Sequence, residues 1–315
     1  MALTMSDVDR FEASRPRLEA IAYRLLGSSS EAEDAVQETF LRWQAADAGR
    51  VDVPEAWLTK VLTNLCLNQL TSARARRETY VGQWLPEPLL AGDPMLGPAD
   101  TAEQRESVSY AVLVVLERLS PNERAVYVLR EAFDYPHREI AEILDLTEAA
   151  SQQIFHRAKK HVAAGKPRTE VDEAAARRIV EEFLAAATSG RTEPLVQLLT
   201  QDAVSIGDGG GKVPARAKAF EGALAVAKFM RGLFKPSEAK RALAGGSPAV
   251  YATTANGEPA VVAVLDGRVI GVMCLEVTAE GIAAFRNQVN PDKLERATER
   301  WAAMDHGEPL LPNAF

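Results

Sequence analysis

Between Leu119 and Val162 the chain reads LSPNERAVYVLREAFDYPHREIAEILDLTEAASQQIFHRAKKHV, a stretch that spells one helix followed by a helix-turn-helix. Ser120 offers an N-cap, Pro121 suits the first helical position, and Glu123 completes a capping box. Ala125, Val126, Leu129 and Phe133 then recur at helical spacing. Pro136 opens a second helix with Ile140, Ile143 and Leu144 on one face. Asp145-Leu146 makes the turn, and Thr147 to Ala150 starts the last helix. Two short helices joined by a tight turn, the second ending in basic residues, form a motif that lays its last helix in a DNA groove. In that helix Ala150, Ile154, Phe155, Ala158 and Val162 are placed to pack, while Ser151, Gln152, Gln153, His156, Arg157, Lys159 and Lys160 are polar. No acidic residue occurs from Ala149 to Thr169. Ser and Gln reach base edges in a major groove, whereas Arg and Lys suit phosphates. A structural helix with a solvated basic face is the plainer alternative; the turn motif before it favours DNA.

Charge limits how such a helix is used. The 315 residues carry a net charge of −8, and residues 1–165 alone hold 18 Lys and Arg against 25 Asp and Glu, a net of −7. Most DNA binders draw their affinity from phosphate neutralisation. An acidic DNA-reading half should therefore bind poorly alone and act as a subunit of an assembly that already holds DNA. The length allows two or three domains, and 47% hydrophobic residues supports real cores. No apolar run reaches the roughly 20 residues that span a bilayer, and MALTMSDVDRFEASR has no apolar signal core, so a cytoplasmic location and no membrane contact are expected. Cys66 and Cys274 lie far apart in apolar surroundings and read as reduced thiols. His137, His156, His161 and His306 have no metal-ligand spacing with them, so neither a metal nor a cofactor is expected.

Upstream, residues 7–26 read as a helix that ends at Gly27, and Ser28–Ser30 cap a second, SSSEAEDAVQETFLRWQAA. Ala35, Val36, Phe40 and Trp43 form its inward stripe, with Asp34, Gln37, Glu38 and Arg42 outward on a face suited to a partner helix. Pro54 opens a third helix whose apolar stripe is Trp57, Leu58, Val61, Leu62, Leu65 and Leu70. Asn64, Asn68, Arg74, Arg76 and Arg77 lie off that stripe. The order EDAVQETFLRW, then PEAWLTKVLTNLCLNQL with RARR, then the helix-turn-helix resembles the extracytoplasmic-function sigma factors of the sigma-70 family over residues 7–163. The resemblance implies that the Asp34–Trp43 helix, with Phe40 and Trp43, docks on core RNA polymerase. It implies that the Trp57–Arg77 helix melts the promoter −10 element and that Thr147–Val162 reads the −35 element. Arg74, Arg76 and Arg77 suit the backbone of a separated strand, and Asn64 and Asn68 suit base edges, with plain helix polarity as the alternative. The loop Asp47–Val53 is too generic to assign by residue.

Tyr80–Asp100, YVGQWLPEPLLAGDPMLGPAD, is too rich in Pro and Gly for a long helix and reads as a spacer. A Trp in a spacer is costly to leave in water, so Trp84 is expected to dock. Beyond a hinge at Lys166-Pro167-Arg168 come a helix (Val171–Thr188) and short helical segments, including Leu195–Leu199. Strands then follow at Val250–Thr254, Ala260–Leu265, Val269–Val277 and Gly281–Val289, with a hairpin turn at Asp266-Gly267. Helices followed by a curved antiparallel meander suggest an α+β cone, which resembles a SnoaL-like domain of the NTF2-like superfamily. Three short motifs, WLPEP (Trp84–Pro88), DGGGK (Asp208–Lys212) and NPDKL (Asn290–Leu294), resemble those of the ECF41 group, sigma factors with a fused SnoaL-like domain. That resemblance implies regulation in cis by the extra domain.

The expected architecture is thus two all-α sigma domains and an α+β cone. Residues 5–78 form region 2, 79–102 the linker, 103–165 region 4, and 169–315 the regulatory domain. Trp84, Leu85 and Pro86, with Asp208, Gly209, Gly210, Gly211 and Lys212, and with Asn290, Pro291, Asp292, Lys293 and Leu294, are expected at one intramolecular docking surface. Two other readings of the cone stand beside docking. Asp208 and Lys212 read as an acid–base pair, and a cavity among Val204, Ile206, Val262, Val264, Met273 and Leu275 as a small-molecule site. Asp208–Lys212 is not a phosphate loop, because the spacing is wrong and Val213 follows the Lys. The rival for the whole chain is a helix-turn-helix repressor fused to a small-molecule-sensing or isomerase-type NTF2-like domain.

Overall fold

The computed structural model describes residues 5–46, 51–78, 80–163, 172–215 and 218–315; the side chains of residues 5, 6, 72–78 and 173 fall outside that description. The chain divides into two compact units. One comprises residues 1–79 and 92–165, the other residues 80–91 and 166–315. The expected linker therefore belongs to no single unit. Its residues 80–91 are part of the C-terminal unit and the rest is part of the helical one.

The helical unit starts with α1 (Met5–Leu26), α2 (Ser29–Ala45) and α3 (Pro54–Glu78). Gly27 at φ +71° ends α1 and donates its N–H to Tyr23 O at 2.7 Å, while Ser28 Oγ caps α2 by accepting from Glu31 N. Phe11, Ile21, Val36, Trp43, Leu58 and Leu62 close the core between these helices. After the spacer come α4 (Ala102–Ser107), α5 (Tyr110–Leu116), α6 (Pro121–Tyr127), α7 (His137–Leu144) and α8 (Glu148–Val162). The Ser120–Glu123 capping box forms as the sequence spells it. The helix it starts is not regular to its end. Val128–Ala132 is a π turn, and Asp134 at φ +56° then swings Phe133 and Tyr135 onto region 2.

Two arginines close the helical unit between its N-terminal and C-terminal helices. Arg24 of α1 donates to Ala20 O (3.2 Å), Ser107 Oγ (3.0 Å) and Leu96 O (2.6 Å), and lies over the Phe133 ring. Arg124 of α6 donates to Arg24 O at 3.2 Å, satisfying an orphan carbonyl at the C-terminal end of α1, and to Glu117 at 2.5 Å. Both guanidiniums are buried, and burial pulls Arg24 down to about 10 and Arg124 to about 9. Thr59 meets Tyr135 Oη at 3.0 Å, and Lys60 of α3 reaches Asp145 Oδ1 at 2.8 Å and Glu142 O at 2.7 Å.

The C-terminal unit contains α9 (Glu173–Thr188), α10 (Glu193–Leu198), β1 (Leu199–Asp208), β2 (Phe220–Glu221), α11 (Ala223–Phe234), α12 (Glu238–Ala244), β3 (Ala249–Ala255), β4 (Glu258–Leu265), β5 (Arg268–Thr278), β6 (Gly281–Gln288) and α13 (Glu295–Ala303). The sheet runs β2-β1-β6-β5-β4-β3. β3 to β6 are the antiparallel meander read from the sequence, but β1 adds in parallel to β6, so the sheet is mixed. Asn256-Gly257 and Asp266-Gly267 hold the two positive-φ positions of type I′ hairpin turns.

One sheet face packs under α9, α10 and α11 around Phe183, Phe285, Phe234, Met230 and Leu275, with Phe183 and Phe285 rings 5.0 Å apart. The residues expected to line one cavity therefore divide. Met273 and Leu275 lie in this aromatic core, whereas Val262 pairs with Val272 on the opposite face, which Val204, Ile206 and Val264 share. A two-residue period assigns alternate residues to opposite faces but cannot join two strands across a core.

Candidate functional sites

On α2, Asp34, Gln37 and Arg42 are exposed, Glu38 pairs with Arg42 at 2.9 Å, and Leu41 stands half in solvent between them. Phe40 is half-buried against Phe11, with ring centroids 4.8 Å apart. Trp43, expected on the docking face, is fully buried; it donates its indole N–H to Asp7 O at 3.1 Å and packs on Trp57. It shapes that face from beneath and cannot touch a partner. On α3, Asn64 is half-buried and Asn68 exposed. Arg74, Arg76 and Arg77 lie on the last turns of α3, and their side chains fall outside the description; residues 47–50 of the loop Asp47–Val53 lie outside the described residues altogether.

On α8, Gln152, Gln153, His156, Arg157, Lys159 and Lys160 are exposed. Ser151 is not a surface residue. Its side chain is buried, with Oγ 2.9 Å from His137 Nδ1, so it ties the two helices of the motif together. Burial first, then nearby Arg130, holds His137 below the ordinary histidine value and favours the neutral ring for that bond. Lys159 is committed in part to Glu131 at 2.8 Å. Besides Lys159, the helix presents two amides, a histidine and two cations on an outward face, with Gln152 Nε2 3.5 Å from Glu148 Oε1.

The second site is a strap. Tyr80–Ala91 crosses the sheet face opposite the helices, and Leu85, Leu89 and Leu90 are buried there. At its start stands Asp208, completely buried at the end of β1. One Asp208 oxygen accepts from Tyr80 Oη (2.6 Å) and Gly210 N (3.0 Å). The other accepts from Leu85 N (2.9 Å), Lys293 Nζ (2.8 Å) and Gln288 Nε2 (3.3 Å). Lys293 also donates to Leu85 O at 2.7 Å and sits 4.2 Å over the Trp84 ring and 4.8 Å over the Tyr80 ring. Gln288 Nε2 reaches the carbonyls of Leu85 and Pro86. Burial first, then Asp208, pushes the Tyr80 phenol well up, so it remains a donor. A buried carboxylate is tolerable only with such a full set of donors and a cation.

Glycine makes the convergence possible. A Cβ at Gly210, φ +59°, would lie 2.3 Å from Asn290 Nδ2, and one at Gly209 would lie 2.1 Å from Val213 O. Asn290 in turn donates to Tyr80 Oη at 2.9 Å. Gly211 faces Val81, Lys212 pairs with exposed Asp292 at 2.6 Å, Pro291 is exposed, and Leu294 is buried. The far end of the strap is held by backbone. Asn256 N donates to Leu89 O (2.8 Å) while Asn256 Oδ1 accepts from Leu89 N (3.0 Å). Ala91 N donates to Thr254 O, Arg300 Nε donates to Ala91 O at 2.9 Å, and Leu90 bridges Ala255 of β3, the sheet edge.

The motifs WLPEP, DGGGK and NPDKL are thus brought together around one carboxylate. Asp208 and Lys212, read as an acid–base pair, do not meet; Lys212 pairs with Asp292, and Lys293 takes the place at Asp208. Tyr80, Gln288, Asn256 and Arg300 had no signal beyond lying beside a motif or in a turn.

Comparison with known proteins follows this geometry. The family models for Sigma-70 region 2 and Sigma-70, region 4 match residues 10–76 and 109–162. The chain is 41% identical over 228 residues to the ECF RNA polymerase sigma factor SigJ of Mycobacterium tuberculosis, covering 72% of this chain and 73% of that one. It is 30% identical over 291 residues to the probable ECF RNA polymerase sigma factor SigI of the same species, covering 90% and 93%. The crystal structure of M. tuberculosis SigJ superposes with a TM-score of 0.70 at 33% identity, over 91% of this chain and 97% of that one.

Proposed function

Because the chain belongs to the extracytoplasmic-function RNA polymerase sigma factors of the sigma-70 family, we propose that its outward α2 face docks on core RNA polymerase, that α3 opens the −10 element, and that α8 reads the −35 element. Asp34, Gln37, Glu38 and Arg42 supply the polymerase contact, with Phe40 at its edge. Asn64, Asn68 and the arginines 74, 76 and 77 serve the melted strand. Gln152, Gln153, His156, Arg157 and Lys160 serve the −35 duplex. The C-terminal unit regulates these modules in cis through the strap, and the protein works in the cytoplasm. The repressor alternative needs no polymerase face and gains nothing from the relatives.

One observation carries the mechanism: regions 2 and 4 are packed into a single unit across the Arg24–Arg124 seam. A unit of this size is about 40 Å across by the usual scaling. The −10 and −35 elements lie roughly 25 base pairs apart, or about 85 Å at 3.4 Å per base pair. The packed unit cannot span them, so the seam must open before both are engaged. Polymerase favours opening because it contacts the separated modules and not the packed pair.

The test is promoter-dependent transcription by core polymerase with the full chain. Reversing Asp34 and Glu38 to Lys should abolish polymerase capture and transcription together. Retained transcription would remove the α2 face from the mechanism. Tight sequence-specific DNA binding by the protein alone, with no polymerase capture, would favour the repressor.

A further inference from the structure

The two grips on the linker differ in kind. Across the sheet, Leu85, Leu89 and Leu90 are buried, and stripping the strap away would take the Tyr80 hydroxyl and the Leu85 N–H from Asp208 and the Leu85 carbonyl from Lys293. Along the helical unit, residues 92–101 are held by Met95 and Asp93, by Gly97 against Ala20, by the Leu96 carbonyl on Arg24 and by the Ala99 carbonyl on Arg105, beside a seam that buries two guanidiniums, Arg24 on neutral acceptors and Arg124 on Glu117. Buried cations favour whichever state returns them to water. The seam therefore gives way while the strap stays.

We propose that the C-terminal unit is a length gauge for promoters: by keeping Tyr80–Ala91 strapped while the helical unit opens, it caps the separation the two DNA-reading modules can reach and so selects the −10 to −35 spacer. This rests on the sigma reading above. Leu85 lies at β1 and β6 and Leu90 at β3, three strand spacings on, or about 14 Å. Tyr80 and Leu85 both hold Asp208, so the residues between them form a closed loop that adds little reach. The strap therefore spans on the order of 25 Å, where twelve free residues would reach about 40 Å. Only residues 92–101 pay out, to about 34 Å. The capped reach is shorter than that of a free linker by about 15 Å, equivalent to roughly 4 or 5 base pairs.

The experiment uses holoenzyme assembled from the full chain and core polymerase on a promoter series lengthened one base pair at a time. Six Gly/Ser residues inserted after Ala91 should move the long-spacer limit outward by about one base pair per residue, since both advance by roughly 3.4 Å. The same insert after Gly82 falls inside the loop closed by Asp208, where the backbone is exposed and a Cβ would meet nothing within 4 Å, and should leave the limit unmoved. Lys293→Met, which loosens the strap, should make the Gly82 insert count as well. Equal shifts from both inserts in the otherwise native chain, or no shift from either, overturn the gauge. No promoter-specific transcription from any variant at any spacer overturns the sigma reading itself, and the gauge with it.

Discussion

At Gly210 the left-handed backbone and the carboxamide of Asn290 leave no room for a methyl group, whereas at Gly82, φ +94°, there is open space. Gly210→Ala should cost about 1–3 kcal/mol in urea unfolding of the C-terminal unit, combining backbone strain with the displaced Asn290–Tyr80 bond. Gly82→Ala should cost only the backbone part, about 1 kcal/mol. Equal losses would show that close approach is not what the glycines serve. Glu117 gives a second residue-scale prediction. It pairs with Arg124 inside region 4, so opening the seam does not part them; it only returns the pair to water. Glu117→Gln leaves the buried guanidinium without its carboxylate in the packed state alone. The open population should rise by about fivefold or more, equivalent to about 1–3 kcal/mol, read as an increase in radius of gyration by X-ray scattering. Little of this was legible in the chain. Nothing local in the sequence marks Arg24 or Arg124 as a cation that will be buried by a helix 100 residues away.

Among elements, α8 separates reading from support. Gln152→Ala or Arg157→Ala should weaken binding to promoter DNA through lost base-edge or phosphate contact, about 1–3 kcal/mol for a base contact. Ser151→Ala should leave the order of promoter preference intact and instead cost about 1 kcal/mol of stability through the bond to His137. A changed preference in Ser151→Ala would return that residue to the DNA surface. The helices were legible because caps and apolar stripes are local: Ser28, Ser120 and Thr147 all cap where the sequence places them. Two elements were not. The π turn at Val128–Ala132 continues the apolar period of α6 and is set by the packing of Phe133 and Tyr135 on region 2. β1, LTQDAVSIGD, alternates too weakly to announce a strand, and its partner β6 lies some 80 residues on. The convergence of WLPEP, DGGGK and NPDKL came from family resemblance, since spacing alone cannot bring Trp84 to Lys293.

For the whole molecule, residues 80–91, which lie between the two sigma regions in sequence, belong to the C-terminal unit. A chain ending at Gly165 keeps Leu85, Leu89 and Leu90 but loses the sheet that buries them, exposing side chains whose burial contributes about 1.5–3 kcal/mol each. Such a truncation should transcribe less than the full chain and aggregate more, measured side by side with core polymerase and by light scattering. Higher output from the short form would make the C-terminal unit an inhibitor and not a scaffold. The discontinuity of that unit also bears on its synthesis. Residues 80–91 leave the ribosome some 200 residues before Gln288 and Lys293, the groups that hold them. At 5–20 residues per second that is a wait of about 10–40 s. For the later part of that interval, once Val162 has been made, the helices of both sigma regions exist while the segment joining them has nothing to lie on. A stalled or prematurely released chain keeps that segment uncovered, its leucines exposed to chaperones and proteases for want of the sheet that buries them.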